Sequence, residues 1–116
     1  GPAPTEDLLE AQYRGDKAAL RPVLDRLVDA AQGFGGDVAV VVQKTGVSLR
    51  RRKQFGVIQA ASARRVQLGL NLAATPPDPR VIETTGMCSH RVDLTSADAV
   101  DADVLTWLRA AYDEAG

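Results

Sequence analysis

The stretch Arg65–Leu72, RVQLGLNL, alternates without a break: Val66, Leu68, Leu70 and Leu72 fall on one side of an extended chain, and Arg65, Gln67, Gly69 and Asn71 on the other. A period of two belongs to a strand. Slipping the register by one residue would carry all four aliphatics out of the core, so this segment requires a sheet with one buried face. The stretches before it obey the same period. Val38, Val40 and Val42 alternate with Ala39, Val41 and Gln43, and apolarity on both sides predicts a strand covered on both faces or central in its sheet. Thr45–Arg51 forms a second strand with Val47 and Leu49 inward and Ser48 and Arg50 outward. A tight turn over Arg51–Gln54 leads to a third strand, Phe55–Gln59, and the small-residue turn at 60–63 leads into Arg65–Leu72.

Helical periodicity flanks this meander. Residues 5–14 make a short helix capped by Thr5, loosely anchored by Leu8, Leu9 and Tyr13 and ended by Gly15. Asp16 then offers a cap to a longer helix whose stripe is Leu20, Val23, Leu24, Leu27, Val28 and Ala31. Pro22 requires that helix either to begin near Leu20 or to bend, and GFGG at 33–36 ends it. Residues 73–86, with Pro76, Pro77, Pro79 and Gly86, read as a connecting loop without regular structure. A last strand follows over about 87–94, with Val92, Leu94 and His90 on its inward side. Thr95, Ser96 and Asp98 then supply helix-start chemistry for a closing helix over about 101–113, which buries Val104, Leu105, Leu108, Ala111 and Tyr112 and carries Trp107 at its border. The sum is an α+β domain: an antiparallel sheet of about five strands, a meander of four plus one, with N-terminal and C-terminal helices packed on one face and the other face largely free. Gly1-Pro2 reads as a tag scar, so residues 1–15 are that scar and the short helix, and 16–116 are a single domain.

Charge is unevenly spread. Residues 44–72 hold seven basic side chains (Lys44, Arg50, Arg51, Arg52, Lys53, Arg64, Arg65) and no acidic one, while all 15 carboxylates lie elsewhere in a chain of net charge -1. The single cysteine, Cys88, excludes an internal disulfide framework and a multi-thiolate zinc site, and it makes a reducing, cytoplasmic setting the default. The longest apolar run, VAVVV at 38–42, is far short of a membrane span.

The segments KTGVSLRRRKQFGVIQ, RVQLGLNL, HRVDL and VDADVLTWLRAAYD, in that order and spacing, resemble a bacterial domain-of-unknown-function family. That family occurs alone, behind another small uncharacterised domain, or at the C-terminus of restriction-type nucleases, and the resemblance covers roughly residues 16–115. Its pattern carries over to Lys44, Thr45, Lys53, Gln54, Phe55, Arg65, Gly69, His90 and Arg91. The chain departs from it in having Gly46 where an aromatic is common and a shorter loop ahead of His90. The family in turn is distantly similar to small frataxin-like proteins labelled as iron chaperones, which implies an α+β sandwich rather than a function.

No catalytic constellation stands out. A metal-dependent nuclease needs clustered carboxylates beside a Lys or His, and 44–72 has none. Cys88 and His90, two apart on one strand face, lack a third residue to orient the histidine. Iron would need oxygen ligands, for which Glu6, Asp7 and Glu10 or the acidic residues between Asp98 and Glu114 are the source, although helix-start carboxylates and a solvated face explain them better. The remaining expectation is a non-enzymatic module without cofactor or metal. Lys44, Arg50, Arg52, Lys53, Arg65, Asn71, His90 and Arg91 would line a cationic sheet face that docks nucleic-acid backbone or an anionic protein surface. The alternatives are a polar anion pocket formed by Lys44, Arg65, Asn71 and His90, and a solubilising role for the charges at an open sheet.

Overall fold

The computed structural model describes residues 4–116, so the scar reading of Gly1-Pro2 lies outside the described residues. Helix α1 spans Pro4–Gln12. A 3-10 turn at Gly15–Leu20 then feeds α2, Arg21–Gln32. Pro22 therefore sits in the first turn, where its missing N–H costs nothing, and of the two starts open to it the later one is realised. Asp16 caps neither element. The closing helix α3 runs Ala102–Glu114, and its cap is Asp101, whose side chain accepts from Val104 N–H at 3.0 Å; Thr95 and Ser96 instead precede, and Asp98 lies within, a short 3-10 turn at Ala97–Ala99.

The strands are β1 (Ala39–Val42), β2 (Val47–Arg50), β3 (Gln54–Ser62), β4 (Arg65–Leu70), β5 (Val81–Glu83) and β6 (His90–Leu94), all paired antiparallel in the order β1-β2-β3-β4-β6-β5. Two expectations give way here. The sheet has six strands, because Val81–Glu83 inside the supposed loop adds a short strand to β6. Moreover, β1 is an edge strand rather than a central one: Val40 and Val42 turn toward the helices, while Val41 is 40% exposed on the opposite side.

The core lies between one sheet face and helices α2 and α3. Val47, Leu49, Ile58, Val66, Leu68, Leu70, Val92 and Leu94 supply the sheet side, and Val23, Leu24, Leu27, Val104, Leu108 and Tyr112 the helix side. The parity of Arg65–Leu72 holds throughout, and Tyr13 just beyond α1 is part of the same core. A register step between β2 and β3 passes over Phe55, which sinks into the core edge-on to Tyr112 at 5.7 Å between ring centroids. On the open face the pairings place Ser48, Val57, Gly69, Arg91 and Ile82 in one row, and Gln59, Gln67 and Asp93 in the next. Pairing also sorts the two ends of the sheet. Arg50, Gln54, His90 and Glu83 stand at one end, and the Lys44–Thr45 hairpin, Arg65 and Leu94 at the other.

Candidate functional site

Four consecutive cations, Arg50 to Lys53, occupy the β2–β3 turn, and they do not behave alike. Arg51 folds back over the end of α3: its Nε donates to Asp37 Oδ2 at 2.7 Å, its Nη1 to the Tyr112 carbonyl at 3.2 Å, and its guanidinium lies 4.2 Å from the centroid of the Tyr112 ring. Tyr112 Oη donates to the other Asp37 oxygen at 2.6 Å. That hydroxyl first, and Arg51 second, hold the Asp37 carboxyl below the usual carboxylate range, and the same hydrogen bond to Asp37 raises the Tyr112 phenol. Arg51 is therefore tied into the fold rather than left to solvent. Arg50, Arg52 and Lys53 are left with no carboxylate within ion-pairing distance among the described residues.

Beside the turn lies a recess of about 260 Å³ between the sheet end and the C-terminus of α3, with Lys53, Asn71, Ser89 and Glu114 in its wall. Asn71 is a strut in it, donating from Nδ2 to the Gln54 carbonyl at 3.1 Å and accepting from Ser89 N–H at Oδ1, also at 3.1 Å. His90 opens β6 on the helix side of the sheet, as parity predicted, and is buried. Its Nε2 lies 2.8 Å from Thr75 Oγ1, which donates to Glu83 Oε1 at 2.6 Å, and its Nδ1 lies 2.7 Å from Ser89 Oγ. A carboxylate only accepts, so the Thr75 proton goes to Glu83. Nε2 must then donate to Thr75, while the one Ser89 hydroxyl proton is shared among His90 Nδ1 and the Leu70 and Leu72 carbonyls, the latter two at 3.2 Å. Ser89 Oγ also accepts from Leu72 N–H at 2.9 Å. The hydroxyl is thus spent on structure, and the chain from Ser89 to Glu83 clasps the 73–77 loop and edge strand β5 to β6.

The other candidates are dispersed. Arg91 and Arg65 both face the open side, 3.3 Å and 3.8 Å from Asp93, which lies between them and neutralises the middle of that face. The Arg91 pair is at ion-pair distance without hydrogen-bond alignment. Lys44 is exposed in the β1–β2 hairpin, where it shares a polar recess of about 300 Å³ with Lys17, Gln12 and Thr45. Gln12 holds that hairpin by donating from Nε2 to the Gln43 carbonyl at 2.6 Å and to the Gly46 carbonyl at 3.3 Å. An anion pocket of Lys44, Arg65, Asn71 and His90 therefore does not form, because the first two stand at one end of the sheet and the last two at the other. Periodicity carries no information about which ends coincide, and Lys17 and Gln12 arrive from helical segments remote in sequence.

Cys88 and His90 do not share a face. The chain bends at Gly86, with φ +100°, and β6 starts only at His90. A side chain on Gly69 would meet Cys88 Sγ at 2.7 Å, so the cysteine covers the open side while His90 points to the core. Burial raises the Cys88 thiol above its ordinary value and keeps it protonated. A pocket of about 190 Å³ opens around it, with Gln59, Gln67, Thr84 and Arg91 among its lining. Among the described residues no three of His, Cys, Asp and Glu gather closely enough to hold a metal. Part of the supposed acidic ridge instead holds Arg80, which reaches Asp78 at 3.1 Å, Asp101 at 2.9 Å and Asp103 at 3.6 Å and lies over Trp107.

Residues 9–115 match the family described as Domain of unknown function (DUF5655). No curated protein and no solved structure matches the chain.

Proposed function

The chain belongs to the DUF5655 family, and we propose that it is a non-catalytic binding module that docks an anionic partner, the phosphate backbone of a nucleic acid, through the β2–β3 turn and the adjoining open sheet face. The observation that carries this reading is the trio Arg50, Arg52 and Lys53. They project from one turn, and they are the cluster of cations in the basic segment that neither Asp37 nor Asp93 neutralises, Lys44 and Arg64 standing apart from it. Phosphate contacts need such unpaired cations. Base readout in single strands needs stacking aromatics, and the aromatics beside the turn, Phe55 and Tyr112, are both buried, so recognition is of backbone and not of sequence.

Titrating labelled duplex DNA and RNA across a salt series tests it. Three phosphate contacts predict a log–log salt slope of about -2.7 on duplex DNA. Replacing Arg50, Arg52 and Lys53 by Gln should abolish binding, while Lys44→Gln at the far end of the sheet should change it little. No binding at low salt removes the nucleic-acid form and leaves an acidic protein surface as partner, to be sought in the same reducing, cytoplasmic setting and in any neighbouring domain. A second reading, a small-ligand protein, draws on the open-face pocket beside Cys88 and Arg91; it predicts chemical-shift changes at Gln59 and Gln67 rather than at the turn. Metal content of protein purified without chelator tests the frataxin-like alternative.

A further inference from the structure

The two sheet edges are guarded very differently. Strand β5 is three residues long, carries Glu83 and is tied down by Thr75, whereas β1 presents an uncharged stretch from Val38 to Gln43 with none of the lysines, prolines or inward charges that protect exposed edges. The hairpin phase decides which backbone groups of β1 are free. Gln43 N–H bonds Gly46 C=O, so the odd residues of β1 face β2, and Val40 and Val42 direct their N–H and C=O groups outward, where no group among the described residues meets them. Above this edge, on the helix side, Leu9, Leu24, Val28, Val40 and Val42 line an apolar groove of about 260 Å³, with Arg21, Asp25 and Asp29 also in its wall.

We infer that β1 pairs with β1 of a second copy of this chain, antiparallel about a two-fold axis at Val41, joining two six-stranded sheets into one. In that register Val40 lies opposite Val42 of the second copy and each exchanges both backbone bonds, while the two Val41 side chains meet on the open face. The register is self-complementary in charge as well. The short Gly33–Asp37 connection returns β1 antiparallel to α2, so the Asp29 end of one groove meets the Arg21 end of the other, and Lys44 of each copy stands opposite Val38 of its mate, on the side where Asp29 lies. The groove and the free backbone groups are then covered together, and the inference is independent of the nucleic-acid reading.

Sedimentation equilibrium of the full chain over a concentration series is the test. The wild type should dissociate from dimer to monomer on dilution. Val41→Lys sets two ammonium groups face to face at the axis and should weaken association about tenfold or more, with the circular dichroism of the monomer unchanged. Should that variant fail to fold, Lys44→Glu should weaken the dimer, and adding Asp29→Lys should restore it. A wild type that sediments as monomer at every concentration overturns the pairing, whether β1 is bare or takes a strand from another protein. So does a dimer unaffected by both Val41→Lys and Lys44→Glu.

Discussion

At Tyr13 the core holds a hydroxyl that it does not use. The residue is 5% exposed and its Oη has no partner among the described residues, while burial pushes its pKa from 10.0 up to about 12. A phenol whose folded value is raised contributes stability that is intact below pH 10.0 and is lost as pH rises through about 12. Tyr13→Phe should therefore unfold no more easily at neutral pH, gaining up to about 1 kcal/mol from removal of the orphan donor, and should lose the alkaline decline between those values in denaturant titrations run at stepped pH. Gly69 is the opposite case, an open-face position kept bare by a neighbour. Gly69→Ala pushes a methyl against Cys88 Sγ at 2.7 Å and Cβ at 3.2 Å, so it should cost about 1 kcal/mol and make the displaced thiol react faster with a disulfide reagent. Adding Cys88→Ala should return part of the loss. Alternation alone put Gly69 outside. That a cysteine nineteen residues later would cover it depends on the bend at Gly86, which no pattern announces.

Among the elements, β5 and β1 depart from the sequence pattern for related reasons. Val81–Glu83 is too short to display a period, follows three prolines, and is a strand only because β6 pairs with it. VAVVV is apolar on both sides whether it lies in the middle of a sheet or at an unguarded edge, and strand order alone distinguishes the two. The connection into β5 is held by Arg80, which joins Asp78 in the loop to Asp101 at the cap of α3 and stacks over Trp107. Arg80→Ala should lower the melting temperature and speed amide exchange first in β5 and in the opening turn of α3, while β2 and β3 keep their protection. The helices were easier to read, since a six-member stripe and a GFGG stop leave little freedom. Only their caps shifted, because a cap is a local hydrogen bond for which several side chains compete.

Over the whole molecule, the charge segregation seen along the chain is largely undone in space. Asp37 takes Arg51, and Asp93 takes a share of Arg65 and Arg91, so the uniform basic segment breaks into an unpaired trio at one turn and the separate cations Lys44 and Arg64. These tertiary pairings also set the acid limb of stability. Asp37, Asp78 and Asp101 titrate below their ordinary 3.8 for three different leading causes: the Tyr112 hydroxyl, the Arg80 side chain and the Val104 backbone N–H. Carboxylates depressed in the folded state stabilise it above the ordinary value, and that contribution is lost as pH falls through their folded values. Stability should hold down to about pH 4 and then decline with proton uptake, and Asp37→Asn should make that decline shallower in acid titrations followed by fluorescence of Trp107.

Sequence alone determined the class of the fold, the inward and outward sets of its strands and the burial of His90, because side-chain periodicity is a property of local backbone geometry and survives without knowledge of neighbours. Tertiary structure alone decided the strand order, which ends of the sheet coincide and which cations keep their charge unpaired. Those depend on contacts between segments tens of residues apart, such as Arg51 with Asp37 and Tyr112, and no local pattern encodes such a meeting. The row of Arg65, Gln67, Gly69 and Asn71 shows both halves of the division. Its alternation was legible, but only the fold made Asn71 a strut, Gly69 a seat for Cys88 and Arg65 a partner of Asp93.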